Sequence, residues 1–212
     1  MPTLYTTALS ANGRKPLAVL EDLGLRGSFE VREVNVYRGA GRAPWFRAIN
    51  PAGKIPTLVD GDFTLFESNA IMLYLDEVYG DSRLSSRDPR ERAELLRWLF
   101  WESAQWQPAL AKVLSPFVAH RLLPDAIPAP EEPPQWAEQG LAGLLTRLER
   151  HLKGRAWLAL ERHTVADLSV AAMMTYFAPA GFPAEKYPAI ERWYAGVAEL
   201  GAWVETAHPL WR

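Results

Sequence analysis

The sequence predicts two structurally different halves, a mixed α/β half over residues 1–80 and an all-helical half over residues 88–212. Two observations predict this division. Before residue 80, short β-branched and aromatic runs alternate with apolar residues at helical spacing, in the order βαβ and then ββα. After residue 88, apolar residues recur only at helical spacing, and the short polar stretch 80–87 separates the two patterns.

The α/β half is predicted to begin with a strand, a helix and a second strand. The strands are expected at residues 4–7 and 29–36, and apolar residues at helical spacing mark the helix between them, which ends at Gly24. Pro16 has no amide to donate inside a helix, so this helix either begins late, near Asn12, or is kinked.

A hairpin and a third helix complete this half. Two short runs, residues 57–59 and 63–66, are joined by Asp60-Gly61-Asp62, whose residue types favour a tight turn. The next helix is predicted to begin at Glu67 and Ser68, because serine is a favoured N-cap and apolar residues follow at helical spacing. Amides in the first turn of a helix lack internal partners, so this N-terminus can attract a carboxylate or a phosphate.

The segment before the hairpin offers a second binding feature. Residues 38–49 contain two glycines and a proline and are predicted to be irregular or weakly helical. Pro56 then directly precedes the hairpin, and the Ile55–Pro56 bond can be trans or cis. A cis bond would turn the amide and carbonyl of Ile55 outward, giving a backbone edge that can pair with an extended peptide.

The run NPAGKIPTLVDGDFTLFES around this hairpin resembles the glutathione-binding segment of cytosolic glutathione transferases. That family has a thioredoxin-like N-terminal domain and an all-helical C-terminal domain. The resemblance implies a cis Pro56, and main-chain pairing between Ile55 and the cysteinyl part of glutathione. It also implies that Glu67 and Ser68 hold the γ-glutamyl end. Lys54 would neutralise the glycyl carboxylate, unless it is an ordinary surface lysine.

In that family, a side chain in the loop after the first strand donates a hydrogen bond to the glutathione sulfur. A free thiol has a pKa of about 8.5, and donation to the thiolate lowers it. Ser10 is our candidate, because Arg14 follows it by four residues, as in the serine-type loop of theta- and delta-like members. Asn12 is the rival, because nu-like bacterial members carry a similar NGRK run. The structural alternative is that Ser10 only caps the following helix.

The sequence contains no cysteine. This excludes disulfides, thiolate metal sites and a cysteine nucleophile, and therefore also deglutathionylation through an enzyme thiol. The four histidines lack the spacing of a metal site, so we expect no metal.

The composition indicates an ordinary globular chain of 212 residues, 49% hydrophobic, with a formal net charge of −2. This balance argues against a nucleic acid or an anionic membrane as the main partner. No apolar run approaches the roughly 18 residues of a membrane span. Since the first residues also lack the pattern of a signal peptide, we expect a cytoplasmic protein.

Capping residues and prolines mark where the helices of the second half are predicted to begin, bend or end. Asp88 is predicted to cap a long helix with Pro89 in its first turn, and Pro108 and Pro116 must bend or divide that helix. The proline-rich residues 124–134 predict an extended loop.

Three further helices are predicted after this loop. The first covers residues 135–152. Thr164 to Asp167 has the pattern of a capping box ahead of an apolar helix through Tyr176, and the resemblance equates this helix with the buried helix of the transferase C-terminal domain. Pro188 begins the last predicted helix.

The resemblance places the electrophile site on the long helix that the family turns toward the sulfur. It implies that Trp101 and Gln105 contribute to this site, and Trp98 and Trp106 lie beside them. Core packing is the alternative role for each tryptophan.

These expectations combine into one functional hypothesis. The chain is identified as a serine-type, theta/nu-like member of the cytosolic glutathione transferases, a homodimer that conjugates glutathione to small apolar electrophiles in detoxification. Hydroperoxide reduction is a second reaction open to the same thiolate, as are dehalogenation and isomerisation. The alternative is a non-catalytic binding or regulatory module of the same fold.

Overall fold

The computed structural model describes residues 1–136 and 139–211, which form two compact units. The α/β unit contains Met1–Ser85 and Gly201–His208, and the helical unit contains the described residues of Ser86–Leu200 and Pro209–Arg212. The predicted helical range, 88–212, includes residues 201–208, which in the structure pack within the α/β unit.

Within Met1–Ser85, the α/β unit contains a four-stranded sheet and three α-helices in the predicted order. Its elements are β1 Thr3–Thr6, α1 Ala11–Asp22, β2 Glu30–Glu33, α2 Pro44–Ile49, β3 Thr57–Asp60, β4 Phe63–Phe66 and α3 Ser68–Tyr79. The strand order is β2-β1-β3-β4, with β1 and β2 parallel and the other pairs antiparallel. The predicted βαβ and ββα order is therefore confirmed.

The first helix begins one residue before its predicted start and is not broken by Pro16. Ser10 has an extended backbone, and its side chain accepts a hydrogen bond from the Gly13 amide at 3.3 Å, which caps α1. Pro16 lies inside α1 with no amide to donate to the carbonyl of Asn12, four residues earlier. The hydroxyl of Thr6, at the end of β1, donates to the Gly13 carbonyl at 2.8 Å and ties the helix to the sheet.

The helical unit follows its predicted cap and proline signals. Its helices are α4 Pro89–Trp101, α5 Gln107–Leu122, α6 Gln139–Leu152, α7 Val165–Ala172 and α8 Pro188–Ala198. Asp88 caps α4 by accepting from the amides of Arg90 and Glu91 at 2.9 and 3.0 Å. A π-helical turn, Glu102–Trp106, separates α4 from α5 just before Pro108, which has no amide to continue the α-helical pattern.

Residues 137 and 138 of the predicted helix 135–152 lie outside the described residues, and α6 is described from Gln139. The sequence also placed the last helix at Pro188, but a further helix, α9 Gly201–Glu205, follows α8. Within the described residues, no helix combines the length and apolar composition needed to cross a membrane.

The predicted capping box is confirmed and is fully buried. Asp167 accepts from the Thr164 amide at 2.9 Å, and the Ala166 amide donates to the Thr164 hydroxyl at 3.3 Å. Asp167 also accepts from the Leu158 amide at 2.8 Å and from the Trp193 indole at 2.9 Å. Burial raises the pKa of Asp167, and these hydrogen bonds oppose the rise. The box therefore joins α7 and α8 as well as starting α7.

Candidate functional site

The first loop presents Ser10 at the N-terminus of α1. Its hydroxyl accepts from the Gly13 amide, as the structural alternative predicted, and its own amide donates to the Thr7 carbonyl at 3.2 Å. A hydroxyl has one proton and two acceptor lone pairs. The cap bond occupies one lone pair, so capping by itself does not prevent Ser10 from donating its proton.

A residue to which the sequence assigned no role lies against Ser10. A hydrogen bond with the Ser10 side chain acts to lower the pKa of the Tyr37 phenol. Burial raises the pKa of Tyr37, and the Ser10 hydrogen bond partly opposes that rise. Tyr37 is in a short 3₁₀ turn, Val36–Arg38, after β2. No local pattern in the sequence indicates that this turn returns to the first loop.

Asn12, the rival of Ser10, is directed elsewhere. The Ser68 hydroxyl donates to Asn12 Oδ1 at 3.5 Å, so Asn12 connects α1 to the start of α3. One turn further along, the Lys15 ammonium donates to Asn69 Oδ1 at 3.4 Å. The two candidates of the first loop therefore have different partners.

The start of α3 differs from its predicted cap. Ser68 is the first helical residue, and the N-cap position is occupied by Glu67, whose side chain makes no capping bond. The prediction that Ser68 caps the helix is therefore wrong. Glu67 is exposed and has a φ of 73°, a left-handed conformation that costs a non-glycine residue about 1–3 kcal/mol. Ser68 is 9% exposed, so most of this residue is shielded from solvent.

The turn before β3 carries the predicted peptide edge. The Ile55–Pro56 bond is cis, as the resemblance implied. In the part of the chain that the structure describes, neither the amide nor the carbonyl of Ile55 makes a hydrogen bond. Ile55 is half-buried, and Lys54 beside it is exposed.

Asn50 holds this turn in place, a role that the sequence analysis did not assign. Its side-chain amide donates to the Lys54 carbonyl at 3.0 Å and to the Thr57 hydroxyl at 2.9 Å. Its side-chain oxygen accepts from the Ala52 amide at 3.0 Å. Asn50 is 2% exposed, so these bonds are shielded from water.

Arg14, which the serine-type resemblance linked to Ser10, fixes the returning C-terminal segment. Its guanidinium lies 3.8 Å from the ring centroid of Trp203 and donates to the Trp203 carbonyl. Its Nε donates to the Thr206 hydroxyl at 3.2 Å. Arg14 is 3% exposed, and these contacts attach α9 to α1, the helix that Ser10 caps.

The helical unit contains a cavity of about 820 Å³. Both predicted electrophile-site residues, Trp101 and Gln105, line it, together with Trp98 and Phe100. Five cationic side chains and a histidine also line it: Arg97, Arg147, Arg150, Lys153, Arg155 and His151. The cavity therefore combines aromatic walls with positive charge.

Two further observations describe the polarity of this cavity. The indole N–H groups of Trp98 and Trp101 are buried and have no hydrogen-bond partner within the described residues. Burial lowers the pKa of His151, and the charges of Arg155 and Arg97 lower it further. The positive charge that lines the cavity favours a ligand with anionic groups.

Across the described ranges 1–136 and 139–211, no group of three or more His, Cys, Asp or Glu side chains is arranged to hold a metal ion.

Comparison with known proteins identifies the family. Residues 4–83 match the model of the glutathione S-transferase N-terminal domain, and residues 106–200 match that of the C-terminal domain. The chain is 31% identical over 212 residues to glutathione S-transferase F10 of Arabidopsis thaliana, covering 97% of this chain and 95% of that relative. It is 30% identical over 198 residues to glutathione S-transferase D6 of Drosophila melanogaster, covering 93% of this chain and 87% of the relative.

Solved structures agree with this match. A delta-class glutathione transferase from Nilaparvata lugens has a TM-score of 0.83 at 27% identity, covering 100% of this chain and 97% of that chain. Glutathione transferase F7 from Populus trichocarpa has a TM-score of 0.83 at 25% identity, covering 98% of both chains.

The chain thus belongs to the glutathione S-transferase family, with a thioredoxin-like N-terminal unit and a helical C-terminal one. It is a glutathione transferase, and glutathione is its cosubstrate. Its assignment to a serine-type, theta/nu-like subtype stays a prediction.

Proposed function

We propose that this enzyme transfers the glutathione thiolate to small electrophiles, with Ser10 as the group that stabilises the thiolate. The observation that carries the proposal is the environment of the Ser10 hydroxyl. This hydroxyl is at the N-terminus of α1, and its cap bond from the Gly13 amide uses an acceptor lone pair and not its proton. Asn12 Oδ1 accepts from Ser68, while its side-chain NH2 group keeps Asn12 as the rival donor to the sulfur.

The chemical requirement is ionisation of the thiol. The thiolate is the nucleophile, and a free thiol with a pKa of about 8.5 is mostly protonated at neutral pH. Donation from Ser10 stabilises the charged form, and the positive end of α1 acts in the same direction. A fall of one in the thiol pKa means that the site stabilises the thiolate relative to the thiol by about 1.4 kcal/mol.

Glutathione would bind along the groups between Lys54 and Ser68. The amide and carbonyl of Ile55, next to cis Pro56, would pair with the cysteinyl main chain. Glu67 would accept from the γ-glutamyl ammonium, while Ser68 would donate to the neighbouring carboxylate in place of Asn12 Oδ1, its acceptor in the structure. Exposed Lys54 would neutralise the glycyl carboxylate. The unpaired backbone of Ile55 and the absence of a capping side chain at α3 support these roles.

Trp101 and Gln105 would contribute to the electrophile site. Their support is that both line the large cavity of the helical unit. The aromatic walls suit a flat apolar acceptor, and the five cationic side chains suit one that also carries an acidic group. Hydroperoxides would react with the same thiolate as a second class of acceptor.

The proposal extends to assembly and location. The homodimer is implied by the family to which the chain belongs. We therefore keep the homodimer as a prediction, which sedimentation velocity would test. The cytoplasmic location also stays a prediction, supported by the reduced state in which glutathione is held there. Cell fractionation would test it.

Turnover of glutathione with chlorodinitrobenzene and with cumene hydroperoxide tests the function. We expect Ser10→Ala to lower kcat/KM near neutral pH by about 100-fold, the effect of removing one preorganised donor to a developing anion. Asn12→Ala is the matched variant and should lower it far less. No turnover by the folded wild-type protein with any acceptor, or a larger loss in Asn12→Ala than in Ser10→Ala, would contradict the proposal.

A further inference from the structure

Lys15 is a lysine of α1 whose side chain is entirely shielded from water, with 0% exposure. Lysine is rarely this buried, because moving an ammonium out of water costs free energy that its surroundings must offset. The roles proposed above for Ser10, Lys54 and Ser68 make no use of this side chain. What its charge can do depends on where it lies relative to the groups that would bind glutathione.

Two side-chain hydrogen bonds join the N-terminal part of α1 to the first turn of α3. The Lys15 ammonium donates to Asn69 Oδ1 at 3.4 Å, and the Ser68 hydroxyl donates to Asn12 Oδ1 at 3.5 Å. Ser68 and Asn69 are the first two residues of α3. The Lys15 ammonium is therefore held at the start of α3, against the residue that follows Ser68.

The start of α3 already favours negative charge. Amides in the first turn of a helix have no internal partners, and the N-cap residue Glu67 makes no side-chain capping bond here. A positive charge beside the same turn adds to this effect, and the buried surroundings of Lys15 screen its charge less than water would. The Glu67 carboxylate carries the opposite charge, but it belongs to an exposed residue and is screened by water and salt.

We propose that Lys15 is a positioning residue for the γ-glutamyl end of glutathione: its ammonium holds Asn69 at the start of α3 and supplies positive charge that favours the α-carboxylate of the ligand. This inference rests on the proposed contact between Ser68 and that carboxylate. Because Lys15 is fully buried, it acts in this role without touching the ligand. Its charge should therefore appear as a preference for glutathione over an analogue that lacks the carboxylate.

A purely structural role is the alternative, in which Lys15 only ties α1 to α3. Loss of such a tie would loosen the start of α3 and weaken every ligand that binds there by a similar factor. Loss of the charge would instead weaken only those ligands that carry the γ-glutamyl carboxylate. Two ligands that differ in this one group therefore separate the two roles, as in a double-mutant cycle.

The test compares glutathione with 4-aminobutyryl-cysteinylglycine, which retains the γ-glutamyl ammonium and lacks the α-carboxylate. Titration calorimetry gives the Kd of each ligand for the wild type and for Lys15→Met, which removes the charge and keeps a long unbranched side chain. We expect Lys15→Met to weaken glutathione about 10-fold and the analogue less than about twofold, since a shielded charge acts over several ångströms. Arg26→Met is the matched control, because it removes an exposed charge of the same unit, 3.4 Å from Glu21, and should change neither Kd.

The outcomes distinguish this inference from the proposed contact of Ser68. If Ser68→Ala loses the preference for glutathione and Lys15→Met keeps it, the role of Lys15 is overturned and the contact of Ser68 stands. If neither variant changes the preference, both are overturned. An equal loss of affinity for both ligands in Lys15→Met would mean that Lys15 is only structural. Should Lys15→Met fail to fold, Lys15→Gln, which loses the charge and can still donate to Asn69, decides by the same comparison.

Discussion

The two units build their candidate sites in different ways. In the α/β unit, small polar side chains such as Ser10 and Ser68 are placed by helix starts, and the backbone around them supplies much of the geometry. In the helical unit, the cavity is formed by bulky aromatic and cationic side chains on the surfaces of helices, with Trp101 as one wall. We infer that the first arrangement tolerates very few substitutions, whereas the second can change its ligand through individual side chains.

The largest effect that tests this difference is expected at α3. Ser68→Ala should weaken glutathione binding about 10-fold, because it removes a donor to the γ-glutamyl carboxylate and hydrogen bonds to charged groups are worth about 1.5–3 kcal/mol. Titration calorimetry with glutathione measures the Kd. Ser115→Ala, which removes an exposed serine hydroxyl from α5, is the control and should bind as wild type. Equal affinities in all three proteins would remove Ser68 from the site.

A smaller effect is expected from the charge of the cavity. Arg150→Gln should raise KM about 3-fold for chloronitrobenzoate and leave KM for the neutral chloronitrobenzamide unchanged, since one partly solvated charge contributes about 0.5–1 kcal/mol. Rates are divided by the uncatalysed reaction of each acceptor with glutathione. Arg90→Gln, a charge in the first turn of α4 that does not line the cavity, is the matched control. An equal change for both acceptors would contradict a role for charge.

The smallest effect concerns a polar cluster of the α/β unit that has no part in the proposed site. Asp60 accepts from the phenols of Tyr74 and Tyr79, and this hydrogen bond raises the pKa of Tyr79 to about 12. An unfolded tyrosine has a pKa of about 10. The folded state therefore holds this proton more tightly, and the stabilisation is present below pH 10 and is lost as the pH rises toward 12.

Urea unfolding of wild type and Tyr79→Phe across this range measures that loss. The free energy of unfolding of the wild type should fall more steeply between about pH 10 and 12 than that of the variant. Glutathione affinity near neutral pH should be the same in both proteins. Parallel pH dependences would show that the Asp60 contact contributes nothing, and a changed affinity would extend the site to this cluster.

The sequence predicted those features that depend on local chemistry. The cap and proline at Asp88 and Pro89 set the start of α4, and the box from Thr164 to Asp167 set the start of α7. Each of these signals involves residues within one helical turn, so the surrounding fold has little influence on it. The same reasoning failed for Ser68, because the backbone enters α3 through a left-handed Glu67 and moves the cap position back by one residue.

Contacts between distant residues could not be predicted in this way. Tyr37 reaches Ser10, and Arg14 reaches Trp203, only because the sheet and α1 bring separate parts of the chain together. The helix Gly201–Glu205 was missed for a related reason: it is only five residues long and is held on α1 by contacts that its own sequence does not reveal. Site residues that belong to a local sequence motif could thus be predicted. Contacts between residues that are distant in the sequence could not, because only the tertiary fold brings them together.

The attachment of residues 201–208 to α1 has a consequence for how the protein is made. Because the α/β unit includes this late segment, the ribosome has to synthesise Ser86–Leu200 of the helical unit before the first unit has all of its parts. Until then, the Arg14 guanidinium lacks both its contact with the Trp203 ring and its hydrogen bond to the Thr206 hydroxyl. A nascent chain stalled before residue 201 should therefore carry an N-terminal unit that proteases cleave more readily.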